Sequence, residues 1–334
     1  MLSSGARSAL IAIGLSLLAP GFLVGQAERA SCISRQPVAE RYKVVALPLR
    51  PSSINQAGQV SGTTEAHRAG LWSMKSGLRE LPLPAGFRNS EGIAVNNSGH
   101  VTGDVYDNIF SKHRAFIFAN GRLTLLAGEQ SRSYGISDSD EVVGESLLPG
   151  KKTTEPVSWD KSTIRPLGGC CGGSAKGVNK NGDVVGDSYD EAGRYQAFLW
   201  KPDHGLQTIG PPNRYSSAIA MNDRGHVISQ AVSESFLYAD GVLTRLEFSS
   251  LYPSQPRSMN NCDVIVGSYG PFSDADRAFV WEKSRGFRDL NTLIAPDSGW
   301  KLEAATSIND HGEIVGRGDY KDEDDTGFLL IPEP

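Results

Sequence analysis

One short phrase constrains this chain more than anything else in it. An Ile, Val or Met precedes Asn; then come two polar residues, Gly, one polar residue, two apolar residues and a closing Gly. Clean copies run from Ile54-Asn55 to Gly62, Val95-Asn96 to Gly103, Val178-Asn179 to Gly186 and Ile308-Asn309 to Gly316. Degraded copies run from Ile136-Ser137 to Gly144, Met221-Asn222 to Ser229 and Met259-Asn260 to Gly267. The Asn position falls at 55, 96, 137, 179, 222, 260 and 309, in steps of 41, 41, 42, 43, 38 and 49 residues. A period of about 40–45 residues marks a repeat array whose units bury their apolar faces against one another.

Each phrase reads as a β-hairpin. In the fourth copy, 174–178 and 183–188 are extended and joined by Asn179-Lys180-Asn181-Gly182. Asn and Asp bond their own backbone in turns, and Gly takes the left-handed position. A third segment follows, as in His67-Arg68-Ala69-Gly70-Leu71-Trp72, His113-Arg114-Ala115-Phe116 and Ala197-Phe198-Leu199-Trp200. Its apolar character suits a strand buried on both faces. A fourth begins at a Gly turn, as at Gly77, Gly121, Gly205, Gly241 and Gly286. Four short antiparallel strands per repeat, arranged radially, form a propeller blade. The fold class expected is all-β: a seven-bladed β-propeller. Its seventh repeat lacks a fourth strand, while one orphan strand, 42–49, precedes the first repeat. The orphan is expected to complete blade seven and close the ring, which removes exposed sheet edges.

These residues resemble the HAF repeat family, also called "probable extracellular repeat" proteins. His113-Arg114-Ala115-Phe116 and His67-Arg68-Ala69 come near the His-Ala-Phe triplet. Ala197-Phe198-Leu199-Trp200 and Ala278-Phe279-Val280-Trp281 match the Ala-Phe-Leu-Trp core. The likeness covers nearly all of 42–331. It implies a secreted or envelope-associated bacterial propeller, and brings no established activity or catalytic residues. Blades three and five depart from it at Pro156-Val157-Ser158-Trp159 and Ser235-Phe236-Leu237-Tyr238.

Outside the array, Arg7, the apolar run from Leu10 to Ala19, Pro20 and the small exit Gly25-Gln26-Ala27 read as a signal peptide over 1–27. A linker follows over 28–41, and 42–334 reads as a single propeller domain. Secretion, to the periplasm or beyond, is the expected localisation. With 33 basic and 38 acidic residues and no basic block, a nucleic-acid groove is not expected. No membrane span is expected in the mature chain, which is read as a monomer. Export permits disulfides among Cys32, Cys170, Cys171 and Cys262. Cys170 and Cys171, adjacent in a Gly-rich loop, are candidates for a structural bridge, to each other or elsewhere.

The connections between strands one and two, and between three and four, share one face of the disc and are uniform. Length variation falls on the other face, at 104–112, 147–154, 189–194, 271–276 and 318–326, so that face is expected to carry function. Acidic loops (Asp190-Glu191, Asp274 with Asp276, Asp319 with Asp322-Glu323-Asp324-Asp325) invite calcium, but no Asp-x-Asp-x-Asp-Gly loop accompanies them. No metal or cofactor is therefore assigned. The residue after the turn Gly (Gln59, His100, Asp183, His226, Glu313) is read as a solvated strand start rather than a circle of functional side chains. The six His residues occupy mostly repeat-determined positions, and no Gly-x-Ser-x-Gly elbow, phosphate loop or zinc signature appears. Catalytic residues are assigned to none, and the binding residues stay unknown. The function expected is a glycan- or protein-binding or adhesion module. The alternative is an extracellular polysaccharide hydrolase or lyase using carboxylates on the variable face, at separations of about 5–10 Å. Acidic side chains converging at a channel mouth would favour the enzyme; aromatic platforms or an apolar patch would favour binding.

Overall fold

The computed structural model describes residues 39–333, apart from 108–111, 162, 170, 249–252, 272–275 and 322. The signal-peptide reading, Cys32 and Cys170 lie outside the described residues. Seven four-stranded antiparallel sheets make up the architecture. Successive blades touch through their first strands, which therefore line the axis. Blade one begins with Arg50–Ile54, blade two with Asn89–Val95, and blade seven with Trp300–Ile308. Tyr42–Leu47 supplies the fourth strand of blade seven, pairing with Glu323–Pro332 from Tyr42↔Pro332 to Leu47↔Gly327. The ring closes as the orphan strand predicts. Among the described residues no helix is long and apolar enough to cross a membrane.

The aromatic third strands fill the spaces between blades. Phe116, Phe198, Phe279, Phe328 and Trp159 are buried to within 1% of complete. Each Phe ring comes down on the closing Gly of the phrase, and that contact explains the Gly. A Cβ on Gly186 would stand 2.0 Å from the Ser174 carbonyl oxygen and 2.9 Å from Phe198 Cζ. Gly103 and Gly267 would meet the carbonyls of Glu91 and Gln255 at 1.9 and 2.0 Å. Blade five carries Ser229 at this position, and its hydroxyl is buried without a hydrogen-bond partner.

The phrase's Asn closes its own turn and fastens the next blade. Asn96 Oδ1 accepts the amides of Ser98 and His100 at 3.1 and 3.0 Å. Its Nδ2 donates to the Ser137 carbonyl of the next blade at 2.9 Å. The same reach joins Asn55 to Asn96, Asn222 to Asn260, Asn260 to Asn309, and Asn309 back to Asn55. Ser137 lacks an amide to extend. Ser137→Asn is expected to supply that donor toward blade four and raise stability by about 1 kcal/mol, measured by urea denaturation. An unchanged or lower stability would show that the fastening is not limiting there.

At His100 and His226 the residue after the turn Gly is not a solvated strand start, as its sequence position suggests, but a second fastener, whereas Gln59, Asp183 and Glu313 accept the Asn amide of their own repeat. His100 Nδ1 lies 2.8 Å from Asp140 Oδ1, and His226 Nδ1 2.9 Å from Asp263 Oδ1, each pair joining one blade to the next. Asp140 and Asp263 both sit at the left-handed turn position, at φ 68° and 59°. At Gly58, Gly99, Gly182 and Gly225 the incoming residue is Glu313, Gln59, Glu141 and Asp183 in turn, and a Cβ there would meet it at 2.9–3.9 Å. Desolvation works against the Asp263 carboxylate, but bonds from His226 and Arg224 hold its pKa below the usual value.

Cys171 is a free, exposed thiol and Cys262 is disulfide-bonded. Gly168, Gly169, Gly172 and Gly173 around Cys171 all take positive φ.

Candidate functional site

Every first strand carries a β-bulge at the same place. Register breaks between Pro51 and Ser53, Gly92 and Ala94, Ser133 and Gly135, and Ala175 and Gly177. It breaks again between Ala218 and Ala220, Pro256 and Ser258, and Ala305 and Ser307. The extra residues are Ser52, Ile93, Tyr134, Lys176, Ile219, Arg257 and Thr306, each three before the Asn position. A bulge leaves its residue outside the ladder and re-aims the side chain. On an axis-lining strand, that places one side chain per blade on the channel wall. None of the seven is buried. They are flanked by Gly, Ala, Ser or Pro, yet the bulged residue itself ranges from isoleucine to arginine. This ring is the candidate site. Sequence reasoning missed it, although a small–variable–small triplet ahead of each phrase carried the signal.

Beside the ring, toward the variable-loop face, lies a layer of carboxylates. Cross-strand pairs set Glu91 opposite Asp104, Arg132 opposite Glu145 and Ser174 opposite Asp187. Glu91 accepts the Tyr106 hydroxyl at 2.8 Å, and Glu145 accepts those of Tyr134 and Thr154 at 3.3 and 3.2 Å. Asp187 is fully buried; it pairs with Lys176 and accepts the hydroxyls of Tyr195, Ser174 and Ser217. Asp104 is 5% exposed. Burial pushes its pKa up to about 7, against the Ser133 amide that donates to it at 2.9 Å.

Arg257 differs from its neighbours. It makes no hydrogen bond or ion pair among the described residues, while Lys176 donates to Ser217 Oγ at 2.6 Å and Thr306 to the Pro51 carbonyl at 3.1 Å. Arg257 is exposed to solvent. Desolvation first, and then the charge of Arg317, lowers its pKa.

The uniform-turn face, expected to be plain scaffold, is not featureless. A cavity of about 160 Å³ opens there, where Gln56, Asn97, Asp138, Lys180 and Asp223 converge. Backbone amides run round this collar into neighbouring side chains, as from Asn97 to Asp138 Oδ1 at 2.9 Å and from Asp223 to Asn261 Oδ1 at 2.8 Å. A second cavity, of about 320 Å³, lies on blade seven between Trp300, Tyr320, Arg41 and Lys43. Trp300 and Tyr320 stack at 4.7 Å, and Lys321 Nζ sits 4.8 Å from the Tyr320 ring. The rings thus cover one another rather than offering an open platform. Two of the acidic loops hold cations of the protein itself: Asp190 pairs with Arg194, Asp319 with Lys301, and Asp325 with Arg50 and Arg317. Asp276, by contrast, makes no ion pair among the described residues, and Asp274 and Asp322 lie outside them. Among the described residues, no group of three or more His, Cys, Asp or Glu is placed to hold a metal ion.

No protein-family model matches the chain, and no curated protein matches it. Solved structures do. A streptogramin B lyase aligns over 89% of this chain and all of its own, at 10% identity and TM-score 0.58. Virginiamycin B lyase from Staphylococcus aureus aligns over 87% of this chain and 99% of its own, at 11% identity and TM-score 0.58. The WD40 β-propeller domain of Doa1 aligns over 88% and 97%, at 13% identity and TM-score 0.54. At such identities the likeness shows the propeller fold, which hosts both lyases and WD40 domains and is compatible with catalysis and with binding alike.

Proposed function

We propose that this chain is exported and serves at the bacterial envelope as a binding module, taking a glycan or a protein segment in its channel. The observation that carries this reading is the bulge ring: a scaffold repeated in all seven blades presents seven accessible side chains of differing chemistry. Rigid frames with variable inward residues suit recognition. The carboxylates beside the ring are engaged by tyrosine, serine, threonine or lysine groups of the protein itself. The HAF resemblance supports export but assigns no ligand.

The test is a glycan array probed with residues 28–334, with calcium and with EDTA. Selective binding is expected, unchanged by EDTA because Asp190, Asp319 and Asp325 already hold Arg and Lys side chains. Binding that EDTA abolishes would overturn that pairing argument. An empty array would remove the glycan reading and leave a protein ligand.

One observation favours the enzymatic alternative. Asp104, with a pKa of about 7, lies opposite Glu91, and burial can ready a carboxylic acid for proton donation. Its near-complete burial separates it from any substrate in the channel. Release of unsaturated or reducing ends from bacterial exopolysaccharide would establish the alternative.

A further inference from the structure

We propose that Arg257 is the anchor of an anion seat in the channel, and that the group it takes is the carboxylate of an acidic glycan. The proposal rests on the channel being the ligand site and adds the chemical class of the ligand. Arg257 is the bulged residue of blade six, so its guanidinium stands off the strand ladder on the channel wall. Nearby, Arg317 and Arg50 share one carboxylate, Asp325, at 3.0 and 2.7 Å. Asp276 also lies within electrostatic reach of Arg257, but makes no ion pair with it. Arg317, whose charge acts on Arg257, is thus already held by Asp325, and Arg257 is left without a bonded partner among the described residues.

Holding like charges together beside a protein wall is unfavourable, since screening there is weaker than in bulk water. An incoming carboxylate relieves that repulsion and satisfies the guanidinium. The planar fork of Arg matches the two oxygens of a carboxylate, in a short charge-assisted pair. Of the flanking bulge residues, Ile219 offers an apolar surface, and Thr306, whose hydroxyl donates to the Pro51 carbonyl, keeps its oxygen to accept from a sugar hydroxyl. A uronic-acid residue combines these features.

The experiment is calorimetric titration of the full mature chain with trigalacturonate and with neutral galactotriose at low salt. It is repeated on Arg257→Gln and Arg257→Lys, each checked for an unchanged melting temperature. The wild type should bind trigalacturonate at least about tenfold more tightly than galactotriose, with affinity falling as salt rises. Arg257→Gln should erase that preference and leave galactotriose unaffected; Arg257→Lys should restore only part of it, because the fork is lost. Equal trigalacturonate affinity in wild type and Arg257→Gln, or no binding by the wild type, overturns the anion seat. Neutral-glycan binding on the array would still stand in that case, so failure here and failure of the binding reading are told apart.

Discussion

Replacing Asp104 with Asn is expected to abolish a loss of stability that the native protein suffers between about pH 4 and pH 7. The carboxyl titrates near 3.8 when exposed and near 7 in the fold. A raised carboxylate pKa means that the folded state holds its proton more tightly than the unfolded chain does. The associated stability is complete below pH 3.8, declines as pH rises, and is gone above 7. A shift of this size corresponds to at most about 4 kcal/mol. Asn has nearly the same shape and keeps an oxygen for the Ser133 amide, but it cannot ionise. Urea denaturation at several pH values between 4 and 8 gives the check. The difference between Asp104→Asn and wild type should grow with pH and then level off near 7. A constant difference would mean that Asp104 is ionised throughout and balanced by a partner.

A second large effect is expected at Gly186. The methyl group of Gly186→Ala would fall 2.0 Å from the Ser174 carbonyl oxygen, with Phe198 and Ala175 at 2.9 Å leaving no way aside. The first strand must separate or the Phe ring must leave its seat. Overpacking on that scale costs about 3 kcal/mol or more, equivalent to roughly 6–10 °C in melting temperature. Gly205→Ala is the control. Nothing lies within 4 Å of its Cβ position, but φ is +69°, so only backbone strain of about 1 kcal/mol is expected. Equal losses at the two positions would contradict the steric explanation of the closing Gly.

These effects mark where the sequence could be read and where it could not. Asn and Gly recur because particular backbone conformations and close approaches require them, so the blades and their number were legible. The vacancy in blade seven and the orphan strand before blade one were two ends of one pairing, and that too was visible. What Asn96 does beyond its own turn was hidden, since its donor reaches a carbonyl 41 residues away. The roles of His100 and His226 were hidden for the same reason: each pairs with an Asp that a single strand cannot place beside it. Arg257 and Tyr134 escaped notice because a bulge is a property of the register between two strands. The acidic loops were ambiguous in the sequence: Arg194 sits beside Asp190 in one loop, but Arg50, Arg317 and Lys301 reach Asp325 and Asp319 from strands that only the fold brings alongside.

The central claim is that ligand is taken at the bulge ring inside the channel. The most direct measurement compares the glycan-array profile of the wild type with that of Ile219→Trp, which narrows the ring at blade five without touching either face of the disc. The account expects the melting temperature to hold while the wild-type binding signals disappear. A folded Ile219→Trp protein that binds the same glycans as strongly as before would place recognition on an outer surface and contradict the account.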